Sequence, residues 1–221
     1  MIDSIIDNDL YKLTMGNAVL RKHPNKRVTY RFTDRDTKGK WTEPAVKEVE
    51  NRIKAMASLA LTSDERKYCE TNMPWINRAF WGYLANYRFD PSEVRLWLNK
   101  GNLEIEIKGL WCRTIYWEVP LLALVSEVFY ELIDTAWTED GQEEKMEAKA
   151  KSLAAAGVQW GDFGTRRRRN FKAQDRVVRI GKKYPDFTGT SNVYLAMKHG
   201  VKPLGTMAHE WIMAHPVLYS L

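Results

Sequence analysis

Apolar and polar positions in the first half of the chain follow two different periods, which predicts a mixture of strands and helices. Segments 27–32 and 102–108 alternate apolar with polar residues, as expected of half-buried strands. Elsewhere the apolar residues recur every three or four positions, which predicts helices over 7–23, 43–61 and 120–133 and another from residue 62. Asp7 or Asn8 is the expected cap of the first helix, because either side chain can accept hydrogen bonds from free backbone amides.

The second half of the chain repeats a simpler pattern, in which a short apolar run is followed by a helix. The predicted strands are 158–164, 186–191 and 202–206, and the predicted helices are 169–184, 192–200 and 207–215. This β-α-β-α-β-α alternation predicts a parallel sheet, either open or closed into a barrel. The charged stretch 138–151 between the two halves is the best candidate for a domain boundary.

Composition and cysteine usage narrow the class of protein. The chain has 221 residues, of which 44% are hydrophobic, enough to bury a sizeable core. Its two cysteines, Cys69 and Cys112, lie far apart and fit neither a disulfide framework nor a zinc site. The N-terminus carries aspartates where a signal peptide has basic residues, and apolar runs such as 119–125 are too short to span a bilayer. We therefore expect a cytoplasmic protein with no membrane partner.

The distribution of charge bears on the class of partner. A formal net charge of +6 is compatible with nucleic acid, a membrane surface or anionic small molecules. The one dense basic run is 166–169, and most other basic residues are interleaved with acidic ones. An RNA-binding or other anion-binding module built on this run is disfavoured, because no basic face with interleaved aromatic residues accompanies it. We expect no nucleic-acid partner.

Three strand-to-helix corners in the second half have a composition that suits ligand binding: 162–166, 189–192 and 205–209. In parallel α/β folds, ligands gather where strands end and helices begin. Each corner has a glycine, which lets backbone approach a ligand closely, and a Ser or Thr. Free amides at helix N-termini favour anions. Each corner alone is ordinary turn chemistry, but together they predict a site for negatively charged small molecules.

Individual residues near these corners have both a structural and a functional interpretation. Arg166 lies nearest a strand end and is expected to point towards the site, whereas the other three arginines of the run are expected to be solvated. His209 is a functional candidate because it follows a Gly-Thr pair, while Glu210 is expected on a different side of the helix. Tyr11 would ordinarily belong to the core. Surface positions are expected for the remaining histidines, His23, His199 and His215.

Several motifs occur in the order of one known family. They are DNDLYKLTMGNAVL, YRF, WEVPLLALVSEV, FGTRRR with QDRVV, and GTSNVYLA running into KPLGTMAHEW. Together these motifs resemble nicotinate phosphoribosyltransferase. The resemblance implies an α/β fold of the type II phosphoribosyltransferase class, in which an N-terminal α/β domain is followed by an irregular α/β barrel. On this basis we predict the N-terminal domain over 1–135 and the first, incomplete part of the barrel over 136–221.

The resemblance also implies a reaction. The family makes nicotinate mononucleotide from nicotinate and phosphoribosyl pyrophosphate, an entry step to NAD by salvage. ATP hydrolysis is coupled to it through a phosphorylated histidine, as in an ATP-dependent ligase. Mg²⁺ is implied together with ATP and phosphoribosyl pyrophosphate, while neither a tightly bound organic cofactor nor a metal site made by the protein is expected. A homodimer with sites near the subunit interface is implied as well.

Roles carry over to this chain where its motifs match those of the family. His209 in GTMAHEW matches the phosphorylated histidine, and Arg166 in FGTRRR matches an arginine near the substrate anions. Thr206 matches a threonine that contacts nicotinate. Tyr11 in DLYKLTM matches a tyrosine that stacks on the pyridine ring. Further substrate-binding residues are assigned from the same corners, namely Gly205, Ser191 and Asn192.

Length is where the chain departs from the family, whose members run to roughly twice its size. A βα barrel needs about eight strands to close, and about three are recognisable here. The expectation is either a fragment or a chain completed by another polypeptide, and the missing part is expected to hold a second arginine, the phosphate-binding loops and acidic residues for ribose and metal. Alone, such a fragment is expected to be inactive and to expose apolar surface.

Two related activities stay open as alternatives. A pyridine phosphoribosyltransferase acting on nicotinamide or quinolinate would share the general features of this chain, and competition between the free pyridines would separate them. A type I phosphoribosyltransferase is disfavoured, because its Thr-Gly loop follows a strand with paired acidic residues, and GKKYPDFTGT lacks both.

Overall fold

A computed structural model describes residues 2–34 and 39–219. Its strands are β1 (Arg27–Arg31), β2 (Val94–Asn99), β3 (Asn102–Leu110), β4 (Trp160–Asp162) and β5 (Phe187–Thr190). Its helices are α1 (Leu10–Lys22), α2 (Glu43–Ala55), α3 (Ser63–Asn72), α4 (Arg78–Asn86), α5 (Trp111–Thr114), α6 (Glu118–Leu132), α7 (Gln142–Ala155), α8 (Phe171–Gly181), α9 (Val193–His199) and α10 (His209–Tyr219). Short 3₁₀ turns occupy Met56–Ser58, Pro91–Glu93 and Thr165–Arg167.

The first half of the chain builds an antiparallel sheet in the order β1-β3-β2. The alternation that predicted β3 places Leu103, Ile105 and Ile107 on its buried face. Tyr30 of β1 pairs with Ile107 on one side of β3. Sequence patterns located β1 and β3 but not β2 or α4, so the sheet has one strand more than predicted.

Helices cover the buried face of this sheet and supply most of the core. The apolar helix α6 buries nearly its whole length and packs beside α2. Trp111, Tyr116 and Trp117, between β3 and α6, are also buried. Helix α3 begins with a capping box, because the Thr62 hydroxyl accepts a hydrogen bond from the Glu65 amide and the Glu65 carboxylate accepts one from the Thr62 amide.

The second half builds a parallel pair of strands, β4 and β5, connected through α8. The third predicted strand, 202–206, is reduced to one bridge between Thr190 and Pro203. The pairing stops at this bridge because the nitrogen of Pro203 carries no hydrogen and cannot donate the next hydrogen bond between strands. Helix α7 falls in the charged stretch and packs on α8, partly through an exposed ion pair between Glu143 and Arg179. The division into domains at residue 135 stays a prediction.

The start of α1 differs from the sequence-based expectation. The helix begins at Leu10 with Asp9 as the capping residue, and Asp9 makes no side-chain capping bond. Asp7 and Asn8, the predicted caps, are buried and bonded to other parts of the chain. Within 2–34 and 39–219, no helix combines the length and apolar character needed to cross a membrane.

Candidate functional site

Arg166 lies beside Tyr11, and its predicted role towards a ligand stays a prediction. Its guanidinium carbon is 6.0 Å from the centre of the Tyr11 ring, over one face. It also donates a hydrogen bond of 2.9 Å to the Glu118 carboxylate, at the first residue of α6. About half of the Arg166 side chain is exposed, so the cation can reach a ligand from this position.

Tyr11 is buried, which agrees with the ordinary expectation for an aromatic residue in an amphipathic helix. Its hydroxyl is enclosed without a hydrogen-bond partner. Burial, with the negative charges of Glu118 and Asp9, raises the pKa of the Tyr11 hydroxyl well above its usual value. The phenol is therefore neutral, and a ligand reaches its ring face only when the Arg166 guanidinium moves away from it.

Lys12 connects α1 to two other elements of the site. Its side chain has no exposed surface, and its ammonium forms ion pairs with both Glu118 and Glu210. Burial opposes ionisation of Glu118, but Lys12 and Arg166 outweigh it and hold the pKa of that carboxyl below its usual value. The result is a chain of alternating charges, from Arg166 through Glu118 and Lys12 to Glu210.

His209 is the first residue of α10 and is exposed. Glu210 follows it and turns inward, where it accepts hydrogen bonds from the Tyr30 hydroxyl and from Trp111 Nε1, the latter at 2.6 Å. The prediction that the two residues lie on different sides of the helix fits this arrangement. Sequence reasoning gave Glu210 no role, and only the structure reveals its three partners.

The corner before α10 lies open to solvent and packs against the start of α1. Gly205 and Thr206 are both exposed. A Cβ atom added to Gly205 would come within 3.1 Å of Leu10 Cδ2, so a larger residue would crowd the helix that carries Tyr11. Thr206 and His209 are thus accessible at the end of the charge chain, on the segment that leads into Glu210.

The other two corners turn Thr165, Ser191 and Asn192 inward, whereas Arg166, at the end of the first of them, stays half-exposed. Thr165 and Ser191 donate hydrogen bonds to Asp9 Oδ1, at 2.8 and 2.7 Å. Asn192 donates one to Asp7 at 2.7 Å. Their side chains are fully buried, and the protein's own carboxylates occupy the positions expected for a ligand anion. For Ser191 and Asn192, substrate binding stays a prediction that would require this cluster to open.

Arg168 contradicts the expectation of a solvated arginine run. It is buried and forms two hydrogen bonds of 2.8 Å with the Asp7 carboxylate. Its Nε donates to Glu127, which lies inside the apolar helix α6. A charged residue within an apolar helix, as Glu127 is in PLLALVSEVFYELI, was the available sequence signal that a buried cation must lie nearby.

The remaining histidines are less exposed than predicted. His199 is largely buried and its Nε2 lies 2.8 Å from the Asp175 carboxylate, so a surface position was the wrong expectation. His23 stacks on Trp111 with ring centres 6.1 Å apart, and His215 packs edge-on against Trp211. Both are half-buried by these tryptophans.

A cleft of 770 Å³ opens between β1, β3 and α6, a volume in the range of small-molecule sites. Its rim includes Glu118 and Arg166, and Tyr30 forms part of its wall. Tyr11 and His209 do not line it. We therefore place the candidate site at the Arg166 end of the cleft, where the charge chain begins. Across the described part of the chain, no cluster of three or more His, Cys, Asp or Glu side chains is arranged to hold a metal ion.

Comparison with known families gives two matches that together cover most of the chain. Residues 6–126 match the model described as the nicotinate phosphoribosyltransferase N-terminal domain. Residues 158–220 match the model described as the nicotinate phosphoribosyltransferase family. The first match holds Tyr11, Lys12 and Glu118, and the second holds Arg166 and His209.

Individual relatives agree with these matches. The chain is 40% identical to a nicotinate phosphoribosyltransferase of Chromohalobacter salexigens, over 97% of this chain and 56% of that protein. It is also 40% identical to one of Methanococcoides burtonii, over 100% of this chain and 58% of that protein. A crystal structure of the Porphyromonas gingivalis protein of the same name superposes with a TM-score of 0.95 at 38% identity, covering 99% of this chain and 57% of that one. The chain thus spans little more than half the length of these relatives.

Proposed function

The chain belongs to the nicotinate phosphoribosyltransferase family, and from this premise we propose that its protein forms nicotinate mononucleotide from nicotinate and phosphoribosyl pyrophosphate. It has the type II phosphoribosyltransferase fold of its structural neighbours. The observation that carries the proposal is the half-exposed Arg166 guanidinium, 6.0 Å from the Tyr11 ring. A cation beside an aromatic face suits nicotinate, which is a flat ring with a carboxylate.

Nicotinate would replace contacts that residues of the protein make with one another. Arg166 covers one face of the Tyr11 ring, and Tyr11 is only 5% exposed. We expect the guanidinium to move onto the nicotinate carboxylate while the pyridine ring takes its place against Tyr11. The Thr206 hydroxyl, exposed at the neighbouring corner, is a second donor for the carboxylate. Transfer then joins the pyridine nitrogen to the ribose carbon as pyrophosphate leaves.

We further infer that ATP hydrolysis is coupled to transfer through His209. A ring nitrogen of the exposed imidazole attacks the terminal phosphorus of ATP, the bond to the ADP oxygen breaks, and ADP leaves. Water later cleaves the phosphohistidine and releases inorganic phosphate. While it exists, the phosphoryl group adds negative charge near the donor site, where it can order neighbouring cations.

Magnesium enters this proposal with the substrates. Glu118 and Glu210 do not suit a resident metal, because both carboxylates are already paired with Lys12. We therefore expect Mg²⁺ to arrive bound to ATP and to the pyrophosphate group. The homodimer and the cytoplasmic location stay predictions.

Substrate choice tests the first part of the proposal. In the full-length protein, formation of mononucleotide from phosphoribosyl pyrophosphate is measured with nicotinate, nicotinamide and quinolinate in turn. We expect turnover with nicotinate and weak competition by the other two. Faster turnover with nicotinamide or quinolinate would contradict the proposal and assign the protein a related phosphoribosyltransferase activity.

A His209→Asn variant tests the ATP part. We expect it to lose stimulation of transfer by ATP and the acid-labile, base-stable label from ATP labelled at the terminal phosphate, while some slow basal transfer remains. The physical reason is that asparagine has no nucleophilic ring nitrogen to carry the phosphoryl group. Unchanged ATP stimulation in His209→Asn would contradict the assignment.

A further inference from the structure

Glu210, the residue after His209, is anchored from three directions. Lys12 of α1 forms an ion pair with it, and Tyr30 of β1 and Trp111 of α5 donate hydrogen bonds to it. Its side chain is 19% exposed and that of Lys12 is fully buried. Three donors on three separate elements are more than a surface carboxylate needs, and together they fix where the first turn of α10 lies.

This anchoring sets the rotation of α10 about its own axis. Successive residues of an α-helix point about 100° apart, so an inward Glu210 directs His209 to another side. Trp211 reinforces the same rotation, because its ring packs 6.0 Å from that of Trp111. His209 is accordingly exposed while its neighbour is held. The orientation of the imidazole thus depends on contacts that the imidazole does not make.

We propose that Glu210 is a positioning residue for His209, which holds the imidazole in one orientation towards the terminal phosphate of ATP. The inference rests on the proposed function, because it requires His209 to be the residue that is phosphorylated. In-line attack needs the ring nitrogen and the phosphorus to be aligned, and a small misalignment slows transfer strongly. Glu210 faces inward and has no need to contact ATP.

The charge of Glu210 matters as well as its shape. Lys12 is shared between Glu210 and Glu118, and Glu118 also holds Arg166. Without the charge at position 210, the buried ammonium has Glu118 as its remaining carboxylate partner among the ion pairs described. Glutamine at this position can still accept from Tyr30 and Trp111 through Oε1, while its amide nitrogen replaces the oxygen that pairs with Lys12, so the variant keeps these two hydrogen bonds and loses the ion pair.

The test measures phosphorylation of His209 separately from phosphoribosyl transfer in the full-length protein. Label transfer from ATP to histidine is followed in Glu210→Gln and in Tyr30→Phe, which removes one donor and leaves the ion pair. We expect the rate of labelling to fall by about 10- to 100-fold in Glu210→Gln and by less in Tyr30→Phe. The KM for ATP should stay near the wild-type value in both, because neither change removes a group that contacts ATP.

Glu93 supplies a matched control. It accepts hydrogen bonds from Trp117 Nε1 and Arg113 Nε, both at 2.9 Å, and so repeats the carboxylate–tryptophan–cation arrangement away from α10. In Glu93→Gln, His209 should be labelled at the wild-type rate even if the melting temperature of the protein falls.

Two outcomes overturn the inference and are distinguishable from each other. Wild-type labelling rates in folded Glu210→Gln and Tyr30→Phe would show that the anchor does not position His209, with the proposed function intact. If Glu210→Gln does not fold, Tyr30→Phe alone decides. Absence of labelled histidine in the wild-type protein would remove both the inference and the ATP-coupled part of the proposed function.

Discussion

Lys12 brings a positive charge into the interior, where its side chain has no exposed surface. Burying an unpaired ammonium is costly, and a buried pair repays that cost only when further polar contacts complete it. Here two carboxylates share the ammonium, and the rings of Tyr11 and Tyr30 each lie 5.8 Å from it. At the scale of single residues, the candidate site is therefore built on charges that satisfy one another before any substrate arrives.

Asp9 is a buried acidic residue, and the effect of burial on its carboxyl allows a prediction about how stability depends on pH. Burial raises the pKa of the Asp9 carboxyl above its usual value, against the lowering effect of the Ser191 and Thr165 hydroxyls. The native state therefore binds this proton more tightly than the unfolded state. Stability should fall as pH rises from the ordinary value of 3.8 through the raised native value. Asp9→Asn keeps an acceptor for both hydroxyls, and its melting temperature relative to wild type should increase across that window.

Asp90 provides a control of opposite sign. Hydrogen bonds from the Ser92 hydroxyl and amide lower the pKa of the Asp90 carboxyl. Its stabilising contribution is present above 3.8 and is lost as pH falls through the lowered native value. Asp90→Asn should thus lose stability relative to wild type at neutral pH, and the difference should shrink in acid. Parallel pH profiles for the two variants would contradict at least one of the two assignments.

Local sequence patterns single out some candidate residues and miss the partners of others for a physical reason. His209 and Arg166 are candidates because each lies close to a predicted strand-to-helix corner, and their roles stay predictions. Arg168 is two residues further on, yet it is buried by Asp7 and Glu127, which are 161 and 41 residues away. Partners at such separations come together only through the tertiary fold, so local patterns cannot reveal them.

At the scale of elements, the turn after β5 depends on Gly189. This residue has φ +138°, and a Cβ added to it would lie 2.0 Å from the Lys202 carbonyl oxygen. Lys202 precedes the bridge that continues the parallel pairing of β5. The close approach of two backbone segments explains why only glycine fits here.

We predict that Gly189→Ala destabilises the protein by about 3 kcal/mol or more, because the strained φ adds about 1–3 kcal/mol and the backbone must also separate. Urea unfolding of the full-length protein measures the loss. Gly157 is the matched control, since its φ is +63° with nothing within 4 Å of an added Cβ. Gly157→Ala should cost about 1 kcal/mol, the penalty of the left-handed conformation alone. Equal losses in the two variants would show that the Lys202 contact is unimportant.

A strand could be predicted from the sequence when buried and exposed residues alternate clearly along it. In β3 one face is fully buried from Leu103 to Ile107 and the other carries the polar residues Glu104 and Glu106, so the alternation is complete. In β2 the inward residues Val94, Leu96 and Leu98 are only half-buried, and the exposed Trp97 interrupts the apolar–polar alternation. The predicted strand 202–206 failed for the opposite reason: its apolar run was present, but Pro203 limited the pairing to one bridge.

At the scale of the whole molecule, the N-terminal segment joins the two halves of the chain. Asp9 forms an antiparallel bridge with Asn192, and the Leu10 amide donates to the Ser191 carbonyl at 2.8 Å. Asp7 meets Arg168, which in turn reaches Glu127 of α6. The segment that leads into Tyr11 and Lys12 is thus held by the corners of the parallel sheet, so the two family regions share one buried polar cluster.

Arg168 is the cation of that cluster, and its removal tests how far the cluster holds the halves together. Arg168→Met removes the cation that contacts both Asp7 and Glu127, so we predict a loss of about 3–5 kcal/mol in urea unfolding. Neutralising both acids in the same chain, as Asp7→Asn with Glu127→Gln, should recover most of it, because two buried negative charges then no longer need a cation. Arg179→Met, which removes an exposed pair with Glu143, should change stability by about 0–1 kcal/mol. If Arg168→Met behaved like Arg179→Met, the polar cluster would not be what fastens the N-terminal segment to the parallel sheet.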